Sequence, residues 1–165
     1  MREYLSSKLA VDGAHLFMCL ALCHSAIVST KRNTRLQDEF ISESEDEIAL
    51  LAAAKQFGYR FSKRTDQALF IKIFDEETKF ELKGQLPFDS DRKMMSVVVR
   101  NTDTGETILF SKGADQSILD RCSITQELKK KVYEKADKFG TQSLRTMVVA
   151  MRKFDNELVK AFTAY

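Results

Sequence analysis

Met95-Ser96-Val97-Val98-Val99-Arg100-Asn101-Thr102-Asp103-Thr104-Gly105-Glu106-Thr107-Ile108-Leu109-Phe110 reads as two strands and the turn between them. Met95, Val97 and Val99 recur with period two, so they share one face of an extended segment. Asn101 to Gly105 is turn chemistry: short polar side chains that bond their own backbone, and a glycine free to take positive φ. Ile108, Leu109 and Phe110 then return as the next strand, which makes the pair antiparallel.

The same period begins upstream. Tyr59 and Phe61 alternate with Arg60 and Ser62, and Phe70, Ile71 and Ile73 lead through Asp75-Glu76-Glu77-Thr78 into Phe80 and Leu82, so these are hairpin-linked strands. A last strand is expected from Leu144 to Met151. Helices are expected over Tyr4 to Ala10 and Ala14 to Ser29, with Asp12 capping the second and Gly13 loosening the join. Lys31 to Ser42 reads as a solvated loop. Ser44 followed by Glu47 has capping-box spacing ahead of Ile48, Leu50, Leu51, Ala53 and Ala54, which predicts a helix ending at Gly58. A short helix is expected over Gln116 to Asp120. A longer one over Glu127 to Phe139 carries Leu128, Val132, Ala136 and Phe139 on one face before Gly140. These elements define an α+β fold, one antiparallel sheet covered by helices, in a single domain over residues 1–165 with no internal repeat.

Composition narrows the function classes. The 165 residues are 44% hydrophobic and 30% charged, with six glycines and one proline, ordinary for a compact domain. Net charge is only +2 with both signs interspersed, so no one-signed field points to nucleic acid or an anionic membrane as partner. Three cysteines without a leader peptide suit a reducing compartment. The apolar run around Leu16 to Val28 is broken by Cys19, His24 and Ser25 and falls short of the roughly eighteen clean residues a membrane span needs. His15, Cys19 and Cys23 recur every fourth residue, but the outer two would lie about 12 Å apart along a helix, too far for one zinc. No G-x-x-x-x-G-K-[ST], G-x-G-x-x-G, G-x-S-x-G or H-E-x-x-H run occurs. A nucleotide held here is held by side chains from a sheet.

Two runs invite that reading. Phe88-Asp89-Ser90-Asp91-Arg92-Lys93 and Phe110-Ser111-Lys112-Gly113-Ala114-Asp115 each set an aromatic ring and a lysine beside residues that bend the backbone or leave room, as adenine and a polyphosphate require. Each residue also has a plain reading. Phe88 could be a core aromatic at a strand end, Lys112 a solvated lysine at a hairpin end, and Glu47 a helix cap.

Ser44-Glu45-Asp46-Glu47, Phe88 to Lys93 followed by Met95-Ser96-Val97, Lys112-Gly113-Ala114-Asp115 and Leu144-Arg145-Thr146 occur in the order and spacing of the nucleotide-binding domain of P-type ATPases, which nearly the whole chain resembles. Leu20-Ala21-Leu22-Cys23-His24 and Asp91-Arg92-Lys93-Met94-Met95-Ser96 are most similar to the phospholipid flippases of that superfamily. The flippase pattern usually has Pro where this chain has Glu45, and Gly where it has Ser143.

The resemblance implies an ATP site. Phe88 would stack on adenine, Lys112 would stand at the mouth beside adenine and ribose, and Gly113 and Ala114 would leave space for the base. Lys93 and Arg145 would face the phosphates. Glu47, next to Asp46, would accept from the adenine amino group, with Ser90 and Met95 lining the site. Arg92 and Arg100 read as plain surface. Thr104-Gly105-Glu106 resembles the actuator domain's dephosphorylation motif but is explained by its turn.

The family's D-K-T-G-T and G-D-G-x-N-D-like runs are absent. The resemblance therefore implies no catalytic or metal-binding residue in this chain, and a monomeric fragment on the cytosolic face without direct membrane contact. Its partners would be ATP and the phosphorylation and actuator domains of the same parent, with Mg2+ carried by the nucleotide and held by the phosphorylation domain. An ion-transporting relative, or a module of this fold that no longer binds nucleotide, remain as alternatives.

Overall fold

The structure, a computed structural model, describes residues 8–29, 40–155 and 159. Six strands form a meander whose spatial order follows the chain: β3 (Tyr59–Arg64), β4 (Ala68–Ile73), β5 (Glu76–Asp89), β6 (Met94–Asn101), β7 (Thr107–Gly113) and β8 (Val148–Phe154). Every pair is antiparallel. Ahead of them come α1 (Lys8–Leu22), a two-stranded ribbon of β1 (Ile27–Val28) with β2 (Phe40–Ile41), and α2 (Glu45–Gln56). Between β7 and β8 lie α3 (Asp115–Leu119) and α4 (Gln126–Gly140). The expected α+β architecture is present.

Period two decides which side chains face the helices. Met95, Val97 and Val99 of β6 and Ile108 and Phe110 of β7 join Phe61, Leu69, Ile71 and Phe80 in one core with Cys19 and Leu22 from α1, Cys23 just after it, and Leu51 and Ala54 from α2. On the other face of β6, Met94 and Val98 are buried too, and the Ser96 and Ser111 hydroxyls bond each other at 2.8 Å across β6 and β7. The pair satisfies both groups away from water.

Several boundaries differ from the sequence-based expectation. The first helix runs through Asp12 and Gly13 without a break and stops at Leu22, not Ser29. The β-branched Ile27 and Val28 pair instead with Ile41 and Phe40, so the expected loop contains a strand at Phe40–Ile41. Residues 1–7 and 31–39 lie outside the described residues, so the expectations for the helix start at Tyr4 and for most of that loop fall there. The β4–β5 turn sits at Phe74 and Asp75, with φ of 49° and 78°, one step earlier than Asp75 to Thr78. Phe74 accepts this conformation because its ring packs edge-on to Tyr59, with centroids 5.8 Å apart, over the bare Cα of Gly58. The last strand begins at Val148 rather than Leu144. No residue of α4 is fully buried, and Leu128 and Phe139 of its apolar face are about half exposed.

The β6–β7 hairpin forms as its turn chemistry predicts. The Asn101 carboxamide oxygen accepts the N–H groups of Asp103 and Thr104, and Gly105 takes φ 73°. Thr104-Gly105-Glu106 lies in this turn.

Candidate functional site

A cavity of about 810 Å³ opens where the ends of β5, β6 and β7 meet the N-terminus of α2 and the segment entering β8. Its lining brings together residues far apart in the chain: Asp46, Glu47, Phe88, Lys93, Met95, Lys112, Gly113, Ala114 and Arg145. Ser90 is the one sequence-predicted site residue outside this lining. It sits at the exposed tip of the β5–β6 turn, where Asp89 Oδ1 accepts the N–H groups of Asp91 and Arg92 and closes the loop on itself.

Phe88 is 63% exposed, so the core-aromatic reading fails. Burying such a ring is what a bound planar ligand would supply. Met95 lies on the core face of β6, directly opposite Lys112 in the ladder. Lys93 closes the turn with φ 52°, its N–H donating to the Asp89 carbonyl at 2.7 Å and its carbonyl accepting from Ala114 N–H at 2.9 Å. The Phe88 hairpin is thereby tied to the end of β7.

Lys112 does not stand at the mouth. It is 4% exposed, and its Nζ donates to Glu47 Oε1 at 3.2 Å. Glu47, at 7% exposed, is the floor's other charge. Its carboxylate accepts further bonds from the Ser25 N–H at 3.0 Å, the Ser25 hydroxyl at 2.9 Å and the Ser42 hydroxyl at 2.9 Å. Burial alone would raise its pKa, but Lys112 and these donors outweigh it and hold the carboxyl below its ordinary value. Its place in the first turn of α2 favours the charged form as well. The capping-box spacing thus marked the helix start, while the side chain serves a different purpose. Ser44 makes no side-chain cap bond, and Glu47 reaches to Ser25 and Ser42 instead. Ser25 and Ser42 were missed by sequence reasoning, since neither lies in a motif; only the fold brings them to Glu47.

Gly113 is glycine for a reason other than room for a ligand. A Cβ there would lie 2.7 Å from Met94 Cα and closer still to Met94 Cβ and the Lys93 carbonyl oxygen, so the missing side chain admits β6.

Arg145 pairs with Asp46 at 2.8 Å and is 86% exposed, which makes it a weak surface contact of about 0–1 kcal/mol. Its approach to the cavity is set by the end of α4. Leu144 N–H donates to the Phe139 carbonyl and Ser143 N–H to the Gly140 carbonyl, a Schellman closure with Ser143 at φ 59° in the position that favours glycine. Ser143→Gly should therefore raise stability by about 1 kcal/mol, a gain of about 2–4 °C in melting temperature by calorimetry. An unchanged or lower melting temperature would show that Ser143 is not strained.

With Arg145 and Lys112 engaged, Lys93 is the lining cation without an ion-pair partner among the described residues. The arrangement offers an exposed ring, a buried ammonium and one exposed, unpaired positive charge. Residues 13–164 match the family described as P-type ATPase, cytoplasmic domain N. The chain belongs to that family. This N domain is 36% identical over 141 residues to phospholipid-transporting ATPase IK of Mus musculus, covering 86% of the chain and 10% of the relative. It is 35% identical over 152 residues to phospholipid-transporting ATPase 10 of Arabidopsis thaliana, covering 87% and 12%. Against phospholipid-transporting ATPase ID of Homo sapiens it is 35% identical over 142 residues, covering 86% and 12%. The chain thus spans about a tenth of the length of these relatives. No helix among the described residues is long and apolar enough to cross a membrane.

Proposed function

We propose that this N domain binds ATP in the cavity and presents its γ-phosphate to an aspartate in a separate phosphorylation domain of a larger chain, a phospholipid-transporting P-type ATPase working at the cytosolic face of a membrane. The observation that carries the reading is Phe88: a large aromatic, mostly exposed, on the wall of a cavity whose floor is a buried ammonium. Phe88 stacks on the purine, and the Lys112 ammonium donates to the base. Lys93 follows the phosphates as a mobile point charge, and Arg145, held by Asp46, flanks them. Met95, Gly113 and Ala114 shape the wall. Ser90, outside the lining, takes no part in holding the base.

The chain's contribution is positional. Fixing the adenosine end in one domain makes phosphoryl transfer to the parent's aspartate intramolecular, with Mg2+ travelling on the nucleotide. The relatives' names, and the motif order around Phe88 and Lys112, support lipid transport as the parent's activity. Acidic residues Glu43, Glu45, Asp46 and Glu47 also line the cavity, so its field is no strong trap for a triphosphate. Affinity of the isolated domain is accordingly weak, on the order of 0.1 to several millimolar, roughly 3 to 5.5 kcal/mol.

An ATP titration followed by backbone amide shifts tests the reading. Saturable shifts are expected at Phe88, Lys93, Lys112 and Glu47, with the α4 surface silent. Absent or evenly spread shifts, together with melting unchanged at saturating ATP, would identify a module of this fold without a ligand.

A further inference from the structure

Arg64 ends β3 and does not line the cavity, yet both prongs of its half-buried guanidinium are bonded. Nη1 donates to the His24 carbonyl at 2.9 Å, and Nη2 donates to Gln85 Oε1 of β5. The His24 carbonyl and the Ser25 N–H belong to one peptide group, and that N–H donates to Glu47 Oε2 at 3.0 Å. A trans peptide is planar, with its carbonyl and its N–H pointing in opposite directions. The guanidinium and the carboxylate therefore sit at the two ends of a single peptide unit, and whatever holds its oxygen also aims its hydrogen. A cation at the oxygen and an anion at the hydrogen polarise the peptide in the same sense, which strengthens both bonds. The neighbouring imidazole does not aim that peptide. The His24 ring, 1% exposed, packs edge-on against Phe61 with centroids 4.4 Å apart, and its one bond is local, from Nε2 to the Ala21 carbonyl at 3.0 Å. A carbonyl only accepts, so Nε2 carries the proton and Nδ1 is left without a partner. Burial lowers the ring's pKa to about 4, so near neutral pH it adds no charge to the corner.

Resting on the ATP reading above, and on Glu47 as the acceptor for the base's amino group, we propose that Arg64 is a positioning residue: acting through the peptide between His24 and Ser25, it fixes the Glu47 carboxylate at the cavity wall where the base meets it. The same turn of the chain brings the Ser25 hydroxyl to 2.9 Å from Oε2, so the corner addresses that oxygen through two donors while Lys112 addresses Oε1. Both Ser25 and Glu47 line the cavity, and Arg64 stands behind them. A lysine could not take its place, because an ammonium is a point charge without the planar fork that reaches the carbonyl and Gln85 together.

Arg64→Lys keeps the charge and much of the stem and gives up the fork. In titrations of the domain its dissociation constant for ATP should rise about three- to tenfold, the share of a charged hydrogen bond that a misplaced acceptor forfeits. Purine riboside 5′-triphosphate, which lacks the amino group, should bind the parent and the variant alike within about twofold. An ATP constant unchanged by Arg64→Lys, or equal weakening of both nucleotides, would mean that Arg64 does not act through Glu47; the inference would then fail while the ATP reading stood. Binding of neither nucleotide to the parent would remove the ATP reading, and the pH titration of the Glu47 carboxyl 13C signal would then decide the positioning role alone. In the parent this carboxyl is held below its ordinary pKa by Lys112 and the serine donors against the cost of burial. Its midpoint should move up in Arg64→Lys, because the Ser25 N–H no longer meets the charged form squarely. Gln85→Ala frees only the other prong and should leave the Glu47 midpoint and the ATP constant as in the parent. A midpoint unmoved in Arg64→Lys, or moved as far in Gln85→Ala, would overturn the positioning role in either case.

Discussion

Phe88→Ala is expected to weaken ATP binding about tenfold to a hundredfold while leaving the fold intact. Stacking of a base on an aromatic side chain is worth about 1–3 kcal/mol, and Phe88 is the exposed ring lining the cavity. Because the ring is 63% exposed, its removal costs the unliganded domain little, and the melting temperature should move by no more than about 2 °C. Arg145→Ala should weaken ATP only a few-fold, since its guanidinium is solvated and already paired with Asp46. Calorimetric titration of the two variants ranks them. A larger loss for Arg145→Ala would mean that phosphate contacts, not stacking, dominate the site.

Gly113→Ala is expected to destabilise the domain by about 2–3 kcal/mol, lowering the melting temperature by about 6–10 °C. The added methyl meets the backbone of Met94, at the start of the neighbouring strand, and of Lys93 just before it, and backbone cannot swing aside as a flexible side-chain tip would. Met94 and Gly113 are ladder partners, so the strain falls where the Phe88 hairpin is fastened to β7. ATP affinity should fall with it, because Lys112 precedes Gly113 and Lys93 is bonded to Ala114. Urea unfolding monitored by circular dichroism measures the effect. A variant as stable as the parent would show that β6 and β7 can separate at this point without cost.

Much of the fold was legible because it is written in local periods. Tyr59 and Phe61 alternate with Arg60 and Ser62, and Met95, Val97 and Val99 recur with period two, which places each set on one face of an extended segment. The helix at Glu45 was legible from Ser44 and Glu47, although the capping bond itself is not made. Errors arose where a tertiary partner overrode local pattern. Ile27 and Val28 continue an apolar helical run, yet Phe40 and Ile41 draw them into a strand. Phe74 sits in a left-handed turn that no propensity favours, because Gly58 and Tyr59 make room for its ring. In the site, the motif residues around Phe88 and Lys112 announced themselves by type and spacing, whereas Ser25 and Ser42, ordinary serines at element junctions, did not.

From the chain alone came the residue types that can stack on a base and meet a phosphate, the strand and turn periods, and hence an antiparallel sheet with helices on it. These follow from side-chain chemistry and backbone sterics acting over a few residues. Which lysine is buried and which is free, why Gly113 must be bare, and what occupies the Glu47 carboxylate were decided only by tertiary structure. Each depends on groups from segments about 20 to 65 residues apart meeting in space, and no local rule encodes that meeting.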